Sequence, residues 1–135
     1  MQSGTQTSPA SRTGLWAGRI LSGLVVLVFI FTGGLALLKP AMAMQGFVHY
    51  GYPDGVLPKI IVTEIVCALI YAIPRTSVLG AILLTGYLGG ATATHVHAGE
   101  PFFLPIVVGI AVWLGLFLRD TRLRALVPVR SSARQ

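Results

Sequence analysis

The sequence predicts an all-α fold: a bundle of four transmembrane helices with both termini on the cytoplasmic side. Three observations carry this. Four apolar segments, roughly Ile20–Leu38, Leu57–Ile73, Val78–Thr94 and Phe102–Leu118, recur along a chain of 135 residues. A mean hydropathy of +0.79 with 10% charged residues is too apolar for a soluble domain of this size. The basic residues also segregate. Crossing a bilayer at each segment puts Arg12, Arg19, Arg75, Arg119, Arg122, Arg124, Arg130 and Arg134 on one side, and only Lys39 and Lys59 on the other. Basic residues accumulate on the cytoplasmic face of membrane proteins, so that side is assigned as inside.

The segments follow in order. Residues 1–14 are Ser-, Thr-, Gln- and Gly-rich with a single charge, and are expected to form a disordered tail. Residues 15–124 form the membrane domain, and residues 125–135 a basic tail. Trp16 and Arg19 sit where interfacial anchors of the first helix belong. That helix, Ile20–Leu38, carries no ionisable residue and approaches the ~20 apolar residues that span a bilayer core. Pro40 can open a short interfacial helix or flap over Pro40–Tyr50, since proline is tolerated in a first turn. Tyr52-Pro53-Asp54-Gly55 has the composition of a turn. The second helix starts near Pro58 and ends at Pro74, which disfavours helix at the residue before it. Pro74–Ser77 then makes a tight turn into a third helix rich in small residues. Gly86 and Gly90 form a GxxxG there, a face on which helices approach closely. Ala111 and Gly115 supply a second such face on the fourth helix.

Several classes are disfavoured. The net charge of +6 comes from arginines that flank membrane segments. It orients the chain and meets anionic lipid head groups, and no basic aromatic groove for nucleic acid accompanies it. The single cysteine, Cys67, lies within the second helix as a packing residue and offers no CxxC redox pair. Ala41-Met42-Ala43 resembles a signal cleavage site. The apolar run before it exceeds the ~7–15 residues of a signal peptide and Lys39-Pro40 intervenes, so no cleavage is expected. His95-x-His97 is a weak metal signal and no metal is assigned.

Glu64 is the residue with most to explain. It lies five positions after Lys59, about 7 Å into the membrane at ~1.5 Å per residue. A carboxyl there must be paired, protonated or facing a wet cavity. Alternation of the spans brings Lys39, His95 and Tyr52 to the same external end. These four residues are the candidates for ligand binding or proton relay, with Gly86, Gly90 and Gly115 as helix-packing residues. The rival reading is a structural Glu64–Lys39 ion pair clamping the first two helices.

The stretch Ile73-Pro74-Arg75-Thr76, then Leu79 to Ala91 (LGAILLTGYLGGA), then His95, resembles the DoxX-like family of small four-helix bacterial membrane proteins. Lys39, Gly51-Tyr52-Pro53, Glu64 and Trp113-Leu114-Gly115-x-x-x-Arg119-Asp120 fit the same pattern. The resemblance implies a bacterial inner membrane protein, in a wider group that includes a thiosulfate:quinone oxidoreductase subunit and membrane partners of oxidative-stress enzymes. It carries over the polar positions Lys39, Glu64, Gly90 and His95. It names no cofactor, and the lone cysteine gives sulfur chemistry no support. The expected function is an accessory subunit of a membrane redox system, binding a quinone or other lipid-soluble molecule in an external-facing polar pocket. Its expected partners are the lipid membrane, membrane oxidoreductase subunits and a second copy of itself. The alternatives are a small oligomeric transporter, or a structural or stress-related membrane protein without a ligand.

Overall fold

A computed structural model describes residues 11–126. Of the tails expected at residues 1–14 and 125–135, residues 1–10 and 127–135 lie outside the described residues, while residues 12–14 and 125–126 are helical. Among those described there are six helices and no strand: α1 (Arg12–Leu38), α2 (Pro40–His49), α3 (Leu57–Ala72), α4 (Ser77–Ala98), α5 (Phe103–Arg119) and α6 (Thr121–Leu126).

α1 begins eight residues before the apolar run, because Ser11 caps it: its hydroxyl accepts from the Gly14 N–H at 3.1 Å. The short helix expected from Pro40 is α2, with the proline in its first turn and no fully buried residue. Ile73, before Pro74, is extended and ends α3. Gly99 closes α4 with φ of +71°, a left-handed conformation that glycine adopts without strain. α6 was not foreseen. Asp120 starts it, its Oδ1 accepting from the N–H groups of Arg122 (2.9 Å) and Leu123 (3.3 Å).

α1, α3, α4 and α5 pack as a closed ring in which α1 touches α3 and α5, and α4 touches the same two. Successive helices of the ring run in opposite directions, so Arg19, Pro74, Ser77 and Arg119 meet at one end. α2 lies across α1 and α3 at the other end, and α6 packs on α5. The core is a single cluster that includes Phe29, Cys67, Tyr71, Leu84, Val112 and Leu116. Outside it the ring is also apolar: Leu27, Phe31, Val62, Leu79, Ile82, Leu104, Val107 and Ile110 are all exposed. Such a girdle is far beyond the patches that water-soluble monomers display. α1 and α4 are long and apolar enough to cross a membrane, whereas α5 is apolar but shorter, at 17 residues.

Small residues set the closest approaches, though not all the ones expected. A Cβ at Gly80 would collide with the Tyr71 backbone, and one at Gly115 would lie 2.7 Å from Ser22 Oγ. Gly86 and Gly90 meet no neighbouring helix, which corrects their assignment as packing residues. The buried stripe of α4 runs Ser77, Gly80, Ala81, Leu84 and Leu88. Gly86 and Gly90 are each two positions from a residue of that stripe, roughly 200° around the helix. A GxxxG marks a face as small without saying what lies opposite.

The Gly80→Ala variant is therefore expected to lose about 1–3 kcal/mol through overpacking. Gly86→Ala should be neutral or gain roughly 0.5–1 kcal/mol of helix propensity. Thermal unfolding of both in detergent micelles checks this, and equal midpoints would contradict the close α3–α4 contact.

Candidate functional site

The buried stripe of α3, Leu57, Ile61, Glu64, Cys67, Ala68 and Tyr71, points Glu64 into the ring. Its side chain is buried at 8% relative exposure. Two neighbouring helices satisfy it. Tyr87 of α4 donates its hydroxyl to Glu64 Oε2 at 3.0 Å, and Thr32 of α1 makes a short hydrogen bond with Glu64 Oε1. Thr32 Oγ1 is also 2.9 Å from the Val28 carbonyl and 3.2 Å from that of Phe29. A hydroxyl carries one proton, so Thr32 donates either to Glu64 or to a backbone carbonyl. In the second case the carboxyl must donate to Thr32. The seam thus has hydrogen-bond arrangements for the carboxyl with and without its proton.

Tyr87 links this seam to a cavity of about 380 Å³ between α2, α3 and α4. Phe47, Tyr50, Tyr52, Tyr87, Thr94 and His95 supply its aromatic and polar walls, and Gly86 and Gly90 leave room for it. The Tyr52 hydroxyl is 2.6 Å from Thr94 Oγ1, and its ring lies 5.2 Å from that of Phe47. His95 Nδ1 is 2.7 Å from the Ala91 carbonyl. A carbonyl only accepts, so Nδ1 carries the proton and Nε2 of the neutral ring remains an acceptor.

Glu100 fastens Tyr50, which lines this cavity, and the neighbouring His49. It accepts from the Tyr50 hydroxyl at 2.7 Å and pairs with His49 Nε2 at 3.0 Å. The Tyr50 hydrogen bond is the main reason that the Glu100 carboxyl is held below its ordinary range, with His49 adding to it. The same bond holds the Tyr50 hydroxyl above its own range.

His95, Tyr52, Gly86 and Gly90 therefore share one cavity, with Glu64 one hydrogen bond behind it. Lys39 does not join them. Among the described residues it makes no ion pair with Glu64, so the rival clamp reading finds no support there; the one ion pair is His49–Glu100. The reason is depth. Lys39 is seven residues past Thr32, about 10 Å along α1, and Thr32 stands level with the carboxyl. His95 is likewise two turns beyond Tyr87. Gly115 lies elsewhere, at the α1–α5 contact, and no three metal-ligating side chains converge among the described residues. Neither Tyr87 nor the Glu100 fastening was among the site residues expected from the sequence. A hydroxyl at a depth matching Glu64 in the next apolar segment was the available signal for Tyr87.

A helical chain with an apolar outer surface and its polar groups turned inward is a membrane protein. The DoxX-like family model matches residues 20–117, from the start of the apolar run of α1 to near the end of α5, and the chain belongs to that family. Comparisons with curated proteins and with solved structures gave no match.

The linkage sign for Glu100 follows from its lowered value. Its contribution to stability is present above the ordinary carboxylate range and is lost as pH falls through the lowered value. In Tyr50→Phe the Glu100 carboxyl should titrate at higher pH than in the wild type, as followed by NMR of labelled glutamate. An unchanged titration would rule out the Tyr50–Glu100 bond.

Proposed function

We propose that this DoxX-like protein spans the bacterial inner membrane four times, with both termini cytoplasmic. It binds a quinone or a similar lipid-soluble molecule in the aromatic cavity, as an accessory of a membrane redox system. The topology is supported by the antiparallel ring, the apolar girdle and the arginines gathered at one end. α3 and α5, at 16 and 17 residues, are near the lower limit for a span of ~17 residues. α2 and the Tyr52 turn lie on the external side in this reading.

The observation that carries the ligand reading is Tyr87 on the wall of a largely apolar cavity, with Glu64 hydrogen-bonded behind it. Its volume, about 380 Å³, falls in the ligand-site range of ~300–1,000 Å³, and such sites combine apolar walls with a few fixed polar groups. Tyr87 spends its proton on Glu64 and keeps lone pairs to accept a hydrogen bond. His95, when its ring is neutral, offers Nε2 as a second acceptor. Two acceptors beside aromatic rings suit the hydroxyls of a quinol head group. A proton released there has a path through Tyr87 to the carboxyl, whose bond to Thr32 accommodates either protonation state.

Titrating a short-tailed quinol, kept reduced, into purified protein in nanodiscs tests this by calorimetry. Wild type should bind saturably, Glu64→Gln and Tyr87→Phe roughly two- to tenfold more weakly for the loss of one hydrogen bond, and Gly90→Leu not at all. Equal binding by all four, or by none, would contradict the ligand reading. If only the melting temperatures of the Glu64 and Tyr87 variants changed, the seam would be a structural tie between helices.

A further inference from the structure

The opposite end of the ring holds a second set of polar groups that the cavity does not use. Tyr71, fully buried, is anchored there: its hydroxyl donates to the Val112 carbonyl at 2.8 Å and lies 3.0 Å from Ser22 Oγ. Arg119 is seated on it. One guanidinium nitrogen, Nη2, donates to the Tyr71 carbonyl at 3.2 Å, and the guanidinium carbon is 5.1 Å from the centre of the Tyr71 ring. Arg119 Nε is buried and finds no acceptor among the described residues. A buried N–H without a partner is costly, and a guanidinium held in one orientation is ready to receive an anion.

Two recesses, of about 240 and 260 Å³, both have Arg19 and Arg119 in their walls. The first runs between α1 and α3 past Ser22 and Tyr71, with Gly23, Val26 and Ala72 as its apolar part. The second opens at the end of the ring beside Ser77 and Arg122. Asp120 also borders it, but its carboxylate is committed to the N–H groups of Arg122 and Leu123 and forms no ion pair among the described residues. Arg19 packs against the exposed ring of Trp16, 5.8 Å from its centre, as an interfacial pair does at head-group depth.

We infer that Arg19 and Arg119 form a binding site for a phosphate group, with a phospholipid head group as its source and the α1–α3 recess receiving part of the lipid's apolar body. Arg19 and the remaining guanidinium N–H groups of Arg119, neither paired with a carboxylate among the described residues, match the oxygens of one phosphate. A rigid seat on Tyr71 distinguishes Arg119 from an arginine that merely points at the membrane surface. This site is independent of the quinone reading and lies at the other end of the molecule.

Native mass spectrometry of the detergent-solubilised protein, offered equal phosphatidylglycerol and phosphatidylcholine, tests the site. Wild type should retain one phosphatidylglycerol selectively. Arg19→Gln and Arg119→Gln should each lower that retention about tenfold, the loss of one charge-assisted contact. Arg19 is exposed, so its variant keeps the fold even if Arg119→Gln does not. Saturable binding of inorganic phosphate to lipid-free micelles, lost in the same variants, would uphold the phosphate site with a soluble source. Overturning results would be equal retention of both lipids by wild type, or retention of phosphatidylglycerol unaltered by Arg19→Gln, in either case without phosphate binding.

Discussion

A carboxyl placed inside an apolar helix ring must find hydrogen-bond partners, and the way Glu64 finds them organises the half of this protein that carries α2. Its two oxygens reach Thr32 of α1 and Tyr87 of α4, so one residue of α3 fixes the rotation of both neighbouring helices. Tyr87 is held from its other side as well, since the Phe29 ring packs edge-on at 6.1 Å. With Tyr87 fixed, the face of α4 bearing Gly86 and Gly90 is turned away from the buried stripe. That rotation, together with α2 and the Tyr52 turn, creates the cavity.

The half that carries Arg19 and Arg119 is organised by a different node with the same logic. Tyr71 ties α3 to α1 through Ser22 and to α5 through the Val112 carbonyl, and it carries Arg119. Close contact at Gly80 and Gly115 makes those bonds short enough to form. The two nodes sit seven residues apart on one face of α3, about 10 Å along the axis. α3 thus presents polar groups to the interior at two depths, and both depths border recesses that open outward. In lipid, where association of apolar helices has little hydrophobic drive, such hydrogen bonds and small-residue contacts are what hold a ring together.

Much of this was readable from the residues. Each of the four apolar segments falls on one of the long helices, though α1 starts before its segment and α4 runs past its own, because helix is the form in which an apolar stretch satisfies its own backbone in lipid. Glu64 stood out because a carboxyl in such a stretch is costly, and it is buried. The partners were harder. Lys39 was paired with it by charge, yet charge attraction cannot bridge the ~10 Å that separates their depths along α1. Hydroxyls at the correct depth won instead, and they leave no trace in a charge count. Gly86 and Gly90 were assigned by motif, but the motif is silent on the helix's rotation. The close contacts came from isolated glycines such as Gly80. Interactions set by rotation and depth belong to the tertiary structure, and one sequence carries no periodic signal for them.

The central claim is that Glu64, through Tyr87, senses what occupies the aromatic cavity. Infrared difference spectroscopy of the protein in nanodiscs, with and without a bound quinol analogue, reads this directly at the carboxyl stretch. The account predicts a carboxyl difference band on binding, absent in Glu64→Gln and diminished in Tyr87→Phe. Binding that leaves the carboxyl region flat in the wild type would contradict it, and would reduce Glu64 to a tie between helices.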